Sequence, residues 1–364
     1  LVKTERRIAV STCMKTAGDQ CDAHGSDSRT GMSRLADVSD TKRLLDHLYD
    51  PVVDELRQVE EVLRRELRSQ FPFVDELARH SFHLGGKRLR PALVLLSAKA
   101  CGAVTADHLV LAAVMEMIHT ATLVHDDVLD QASLRRHLAT VNARWGNETS
   151  VLLGDYLFTH SFYLASTLET TFACQTIGRA TNTVCEGELR QIESCGDYAI
   201  SEQDYLSIIE AKTAELCACC CRLGAHYASA TPEVEESLAE FGRCLGIAFQ
   251  IVDDLLDVQG DEVTTGKSLG SDLEQRKPTL PLIRLLAQAD EKRRATIIAA
   301  LDSPAPLASG AIEEWFAGCD CLEYSREQAR GYIERAKNQL ARLPASPARS
   351  VLERVADFSI ERQH

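Results

Sequence analysis

An all-α chain is predicted by three observations. Apolar residues recur at three- and four-residue steps over nearly the whole length from Thr41 onward. No Gly-bounded run rich in Val and Ile alternates as a strand would. Several helical stretches are apolar around most of their circumference, which requires that other helices enclose them. The expectation is therefore one large helical bundle of ten or more helices over residues 41–364. Residues 1–40 are polar, rich in Ser, Thr, Asp and Gly and without a sustained period, and are read as disordered.

Taken in order, "DTKRLLDHLYDPVVDELRQVEEVLRREL" interleaves charges with apolar residues as an amphipathic helix does, and Asp50-Pro51 marks a break or restart. The helical period returns in "PALVLLSAKA", "HLVLAAVMEMIHTATLVHDDVLD", "VLLGDYLFTHSFYLASTL" and "TVCEGELRQIESC", then in "YLSIIEAKTAELCACCCRLGA", "EVEESLAEFGRCLGIAFQIVDDLLDVQG" and "SREQARGYIERAKNQLARL". Linkers fall at "FHLGGKR", "QASLRRHLATVNARWGNETS", "QGDEVTTGKSLGSDLEQRKPT" and "LDSPAPLASG".

Composition excludes several classes. Lys plus Arg number 40 against 54 Asp plus Glu, a net charge of −14 with no basic stripe, which disfavours a nucleic-acid partner. No uninterrupted apolar window approaches the roughly 18 to 20 residues of a membrane span, so no transmembrane segment is expected. Thirteen cysteines in a long chain, an odd count, suit reduced thiols in the cytoplasm better than a disulfide framework. Cys217, Cys219, Cys220 and Cys221 point around a helix without a second pair at ligand spacing, and are read as small packing residues.

The chemistry is carried by acids. "LVHDDVLDQASLRR" places Asp126, Asp127 and Asp130 at the end of a long apolar run, and "FQIVDDLLD" repeats the pattern with Asp253, Asp254 and Asp257. The first and last aspartates of each copy are four apart, so on a helix they share a face about 5–6 Å from one another. Acids at helix C-termini oppose the helix dipole, and a solvated acidic face would not be flanked by "TATLV" and "IAFQIV". Hard carboxylate oxygens recruit Mg²⁺, which keeps several waters and takes phosphate oxygens from its substrate. Basic residues stand near both copies: Arg135 and Arg136 after the first, Lys267 and Lys277 after the second, and Lys87, Arg88 and Arg90 in "GGKRLRP". Together they suggest two diphosphate sites, one through metal and one through direct ion pairs.

With "GGKRLRP", "HTATLVHDDVLD", "RR", "GNETSVLLGDYLF", "EGELRQI", "KTAEL", "FQIVDDLLD" and "GKSLGSDL…KPTLP" in this order, the chain resembles the trans-isoprenyl diphosphate synthases, or polyprenyl synthetases, most of all the bacterial long-chain members. The resemblance implies an isoprenoid-synthase bundle around a central cavity. It implies that Asp126, Asp127, Asp130, Asp253, Asp254 and Asp257 bind Mg²⁺, three ions with substrate present. Arg135, Lys212, Lys267 and Lys277 would contact the allylic diphosphate, and Lys87, Arg90, His119 and Arg136 isopentenyl diphosphate. Thr213 and Gln250 would lie beside the reacting carbons. A homodimer is implied, with peripheral membrane contact for product release. Two departures stand out: "RRHLAT" with His137, and Arg276 before Lys277 where a glycine is frequent.

Product length is read from the residues preceding Asp126. Short-chain relatives place an aromatic ring four or five residues before the motif, where this chain has Thr122 and Ala121. Ile118 follows one turn further down, and no aromatic residue occurs between Val104 and Asp126. Each turn rises about 5.4 Å, near one isoprene unit, so the expected product is about C30 to C50, centred on about C35 to C40. Phe158 and Phe162 could cap the cavity from another helix. The rival readings are a short-chain farnesyl or geranylgeranyl diphosphate synthase, a class I terpene cyclase, and a non-catalytic partner subunit or lipid-binding bundle. The intact second aspartate motif and "GGKRLRP" argue against the last two.

Overall fold

The computed structural model describes residues 48–83, 86–135, 138–259, 270–303, 307 and 310–361. The segment 1–40 expected to be disordered, Arg136 and Lys267 lie outside the described residues. The break at Asp50-Pro51 is a single 3-10 turn, Asp50–Val52, with Pro51 where a missing N–H costs nothing. Helices α1 (Val53–Glu66), α2 (Pro72–His83), α3 (Leu89–Cys101) and α4 (Ala106–Leu129) follow.

Between α4 and α5 (Val141–Trp145) lies a feature the periodicity did not suggest. Leu134–Arg135 pairs antiparallel with Leu138–Ala139, Leu134 opposite Ala139. Two-residue strands are too short to show a period of two, so the sequence reads as linker. The chain continues through α6 (Asn147–Ser166), α7 (Phe172–Ser194), α8 (Glu202–Ile209), a π-helical turn at Glu210–Ala214, α9 (Glu215–Tyr227) and α10 (Pro232–Gln259). It closes with α11 (Ser271–Glu274), α12 (Leu280–Gln288), α13 (Glu291–Leu301), α14 (Ala311–Phe316), α15 (Cys321–Leu340) and α16 (Pro347–Ile360). Thr140, Ser201 and Ser346 cap α5, α8 and α16 by accepting from the backbone N–H three residues on.

Helix α4 is the centre of the bundle. Every residue from Leu111 to Ile118 is buried, and α1, α3, α6 and α9 pack around it. Full burial of side chains such as Leu111, Met115 and Ile118 stabilises by about 1.5–3 kcal/mol each. Length and hydropathy alone would let α4 cross a bilayer, but most of its surface is covered by protein, as a core helix requires. Helix α10 packs along α9 and α15. A smaller apolar cluster, with Val258, Leu273, Leu282, Leu285, Ile297 and Phe316, ties the end of α10 to α11–α14 and fixes the segment that follows the second aspartate motif.

Cys217, Cys219, Cys220 and Cys221 are buried free thiols on α9, and burial pushes all four thiols up, away from thiolate. They fill space between α9 and its neighbours as small apolar groups.

Candidate active site

Both aspartate motifs occupy the C-terminal turns of long helices, α4 and α10. Helix α4 stops directly after the first motif with no Gly or Pro to stop it. Asp130 is its C-cap, Gln131 takes a left-handed φ of 52°, and the N–H groups of Gln131 and Ala132 return to the carbonyls of Val128 and Asp127. That is a Schellman termination built on glutamine. Arg276 repeats it at the end of α11: φ is 55°, and the N–H groups of Arg276 and Lys277 bond the carbonyls of Leu273 and Asp272. The glycine commonly found there would adopt this conformation without strain. Here the Arg276 guanidinium reaches Asp302 at 3.2 Å, and its carbonyl accepts from Gly196 N–H at 2.9 Å.

The first motif divides by burial. Asp127 is 1% exposed and accepts from Arg135 Nε at 2.9 Å, while Asn142 holds its carbonyl at 3.1 Å. Asp130 is exposed and accepts from Lys277 Nζ at 3.1 Å, and the same ammonium lies 3.8 Å from Asp272. Burial opposes the charge on Lys277, but Asp130 and Asp272 outweigh it and raise its pKa. Lys277, 147 residues beyond Asp130, therefore links the first motif to Asp272, whose N–H bonds Asp257 of the second. Asp126 is pushed up to about 6 by burial and by the neighbouring Glu188 and Asp130, with Lys212 and Arg135 only partly offsetting them.

In the second motif Asp253 is exposed. Asp254 is buried, accepting from the Tyr205 hydroxyl at 2.6 Å and from Gln250 Nε2 at 2.8 Å; burial and Asp272 push it up to about 8. Asp257 accepts from the backbone N–H and hydroxyl of Ser271 and from Asp272 N–H, so it is engaged with the start of α11. The sequence treats all three acids alike; in the fold the second and third hold neighbouring elements in place.

Lys212 and Thr213 sit on the π-turn. Lys212 donates to Glu188 and Gln191, at 3.0 and 2.7 Å, and Thr213 donates to Gln250 Oε1 at 2.7 Å. Two glycines admit this bulge: a Cβ on Gly187 would stand 2.6 Å from Lys212 N, and one on Gly246 would stand 2.5 Å from Ala214 Cα. Single-turn π-bulges inside α-helices are frequent at functional sites.

The basic residues of "GGKRLRP" part ways. Arg88, with φ 51°, is bonded to Glu60 and to the buried Glu116, the latter at 2.6 Å, and these carboxylates hold its pKa up against the opposing effect of burial. Arg88 is thus a structural cation and not part of an anion site. Its replacement by alanine strands the Glu116 carboxylate and is expected to cost about 3 kcal/mol in urea unfolding; a loss under about 0.5 kcal/mol would refute this. Lys87 faces a cleft lined by Tyr49, Leu245, Phe249 and Phe358, its Nζ 5.2 Å from the Phe358 ring centre. Arg90 has a buried Nε that meets no hydrogen-bond partner among the described residues. His119 lines a second cleft with Ser81, Gly86, Leu123, Asp127 and Arg135.

Of the residues read as setting product length, Ala121 and Ile118 are wholly buried, and Thr122 is half-buried with its hydroxyl turned back to the His119 carbonyl at 2.8 Å. Phe158 and Phe162 form a tilted pair on α6, and Phe162 packs near Gly178 on α7.

Reasoning from sequence missed Glu188, Gln191, Tyr205 and Asp272. Glu188 and Gln191 lie inside a quoted motif, three apart on one helical face. Asp272 lies inside the quoted "GKSLGSDL", whereas Tyr205 carries no local signal, since its partner Asp254 comes from another helix.

A polyprenyl synthetase family model matches residues 71–316. The chain belongs to the polyprenyl synthetase family. It is 34% identical over 320 residues to the octaprenyl diphosphate synthase of Escherichia coli, covering 87% of this chain and 99% of that one. It is also 34% identical over 322 residues to a short chain isoprenyl diphosphate synthase of Methanothermobacter thermautotrophicus, covering 86% of this chain and 99% of that one. A crystal structure of polyprenyl synthase from Caulobacter crescentus complexed with calcium and isoprenyl diphosphate matches with TM-score 0.83 and 35% identity, over 88% of this chain and 98% of that one. As a polyprenyl synthetase the chain is a trans-prenyltransferase.

The donors present fit a hard divalent cation. Asp126, Asp130 and Asp253 offer only carboxylate oxygens, and Glu188 and Asp130 add negative charge at Asp126 that a cation would relieve. Among the described residues no three His, Cys, Asp or Glu enclose an ion alone, so its shell would be completed by water and substrate oxygens.

Proposed function

We propose that this synthetase condenses isopentenyl diphosphate with an allylic diphosphate, head to tail and repeatedly, to an all-trans product of about C30 to C50. The observation that carries the reading is the single Lys277 ammonium joining Asp130 of one motif to Asp272 behind the other, while Asp126 feels the charges of both Asp130 and Lys212. It supports one compact seat of alternating charge suited to a diphosphate and its cations.

Asp126, Asp130 and Asp253 would hold Mg²⁺, three ions with substrate, while Asp127, Asp254 and Asp257 keep their helices and caps in register. Bound there, Mg²⁺ supplies charge stabilisation for the departing diphosphate. Lys212, Lys277 and Arg135, joined by Lys267, would neutralise the same leaving group as the allylic C–O bond breaks. Thr213 and Gln250 would turn oxygen dipoles toward the allylic cation and offer it no strong nucleophile. His119, Arg90, Lys87 and Arg136 would orient isopentenyl diphosphate so that its double bond attacks the allylic carbon. A proton then leaves the new adduct, and the released diphosphate accepts it.

The exposed Leu152 and Tyr163 on α6 give the proposed homodimer an apolar face. Free thiols support a cytoplasmic location. Relatives of equal identity carry long-chain and short-chain names, so product length rests on the residues before Asp126 and not on resemblance. Incubation with isopentenyl diphosphate, farnesyl diphosphate and Mg²⁺ should release diphosphate and yield products of six to ten isoprene units by mass spectrometry. No diphosphate release with either this primer or dimethylallyl diphosphate removes the prenyl-transfer reading; products from dimethylallyl diphosphate confined to C15 or C20 favour the short-chain one.

A further inference from the structure

We propose that Tyr205 is a positioning residue for prenyl transfer, its hydroxyl fixing how Gln250 and Thr213 are presented. The inference rests on the function proposed above.

Tyr205 lies in α8 and is 4% exposed, 49 residues before the aspartate it bonds. Its hydroxyl donates to Asp254 Oδ2 at 2.6 Å. The other carboxylate oxygen, Oδ1, accepts from Gln250 Nε2 at 2.8 Å, and Gln250 Oε1 accepts from Thr213 at 2.7 Å. An amide has one donor end and one acceptor end, whereas Asp254 Oδ1 accepts both in the carboxylate and in the acid that carries its proton on Oδ2. Asp254 therefore selects the amide orientation that points oxygen toward Thr213, and the Thr213 hydrogen is committed to that oxygen. The Thr213 oxygen lone pairs are then presented outward, an arrangement that suits a neighbouring cation and is lost if the amide flips.

Helix α8, which carries Tyr205, also packs against α12. Phenylalanine keeps the ring's packing and removes the hydroxyl's bond to Asp254.

The test is steady-state kinetics of the full chain with farnesyl and isopentenyl diphosphates, alongside circular dichroism to normalise to folded protein. Tyr205→Phe should lower kcat about tenfold or more and raise KM for the allylic substrate about threefold, with KM for isopentenyl diphosphate changed less than about twofold. In a Thr213→Ala background the same substitution should lower kcat by less than about threefold, because the group it positions is already gone. Tyr332→Phe, which removes the hydroxyl of a half-buried residue on α15, should leave all parameters unchanged. Loss of melting temperature with kcat and both KM values intact would make Tyr205 merely structural and overturn the proposal. So would equal, multiplicative losses in both backgrounds. An inactive wild-type chain would overturn the prenyl-transfer reading itself, whereas an active wild type with a fully active Tyr205→Phe defeats only the positioning role.

Discussion

Asp253→Ala should lower kcat about a thousandfold, equivalent to about 4 kcal/mol of transition-state stabilisation, while the melting temperature stays within a few degrees of wild type. The asymmetry follows from placement. Asp253 is exposed on the last turns of α10, so its truncation opens no cavity in the core. The neighbouring Asp254→Ala should behave differently, losing activity and stability together, because Tyr205 and Gln250 both donate to that buried carboxylate. Parallel assays and thermal melts of the two variants decide the matter. If Asp253→Ala keeps more than about a tenth of wild-type kcat, the division of labour within the second motif is wrong.

Ala121→Phe should shift the product from about C35–C40 to C15 or C20, read by mass spectrometry of the dephosphorylated prenols. Ala121 is wholly buried on α4, five residues before Asp126, so a phenyl ring there must occupy space on the side of the helix down which the growing chain is expected to run. The same burial means overpacking, with a stability loss of about 1–3 kcal/mol. Thr122→Phe, at a half-buried position, should strain the core less and is the companion variant. Folded variants with an unchanged product distribution would sink the idea that α4 sets the floor.

Much of this site was legible because its chemistry is local. Asp126 and Asp130 share a face through helical spacing alone, and the order of the basic motifs around them carried the family resemblance. Arg88 shows where such reading stops. It stands in the same four-residue stretch as Lys87 and Arg90, equally charged, yet Glu60 and the buried Glu116 claim it from helices before and after. Spacing reports which way a side chain leaves the backbone, not which partner it finds.

The two non-glycine terminations make the same point about the fold. Gln131 and Arg276 adopt left-handed φ without a residue that favours it, so neither helix end carries its usual signature. Arg276 is held there by Asp302 and by Gly196, groups supplied by other segments.

The sequence by itself determined that the chain is helical, that α4 and α10 end in paired acids, and that cations accompany them, since periodicity, charge and spacing act over one or two turns. Only the tertiary structure decided which acids are exposed and which are engaged by Tyr205, Gln250, Ser271 and Arg135. It also decided that one lysine joins Asp130 to Asp272. The physical reason is burial: a carboxylate's role depends on which donors surround it once water is removed, and those donors come from helices far apart in the chain.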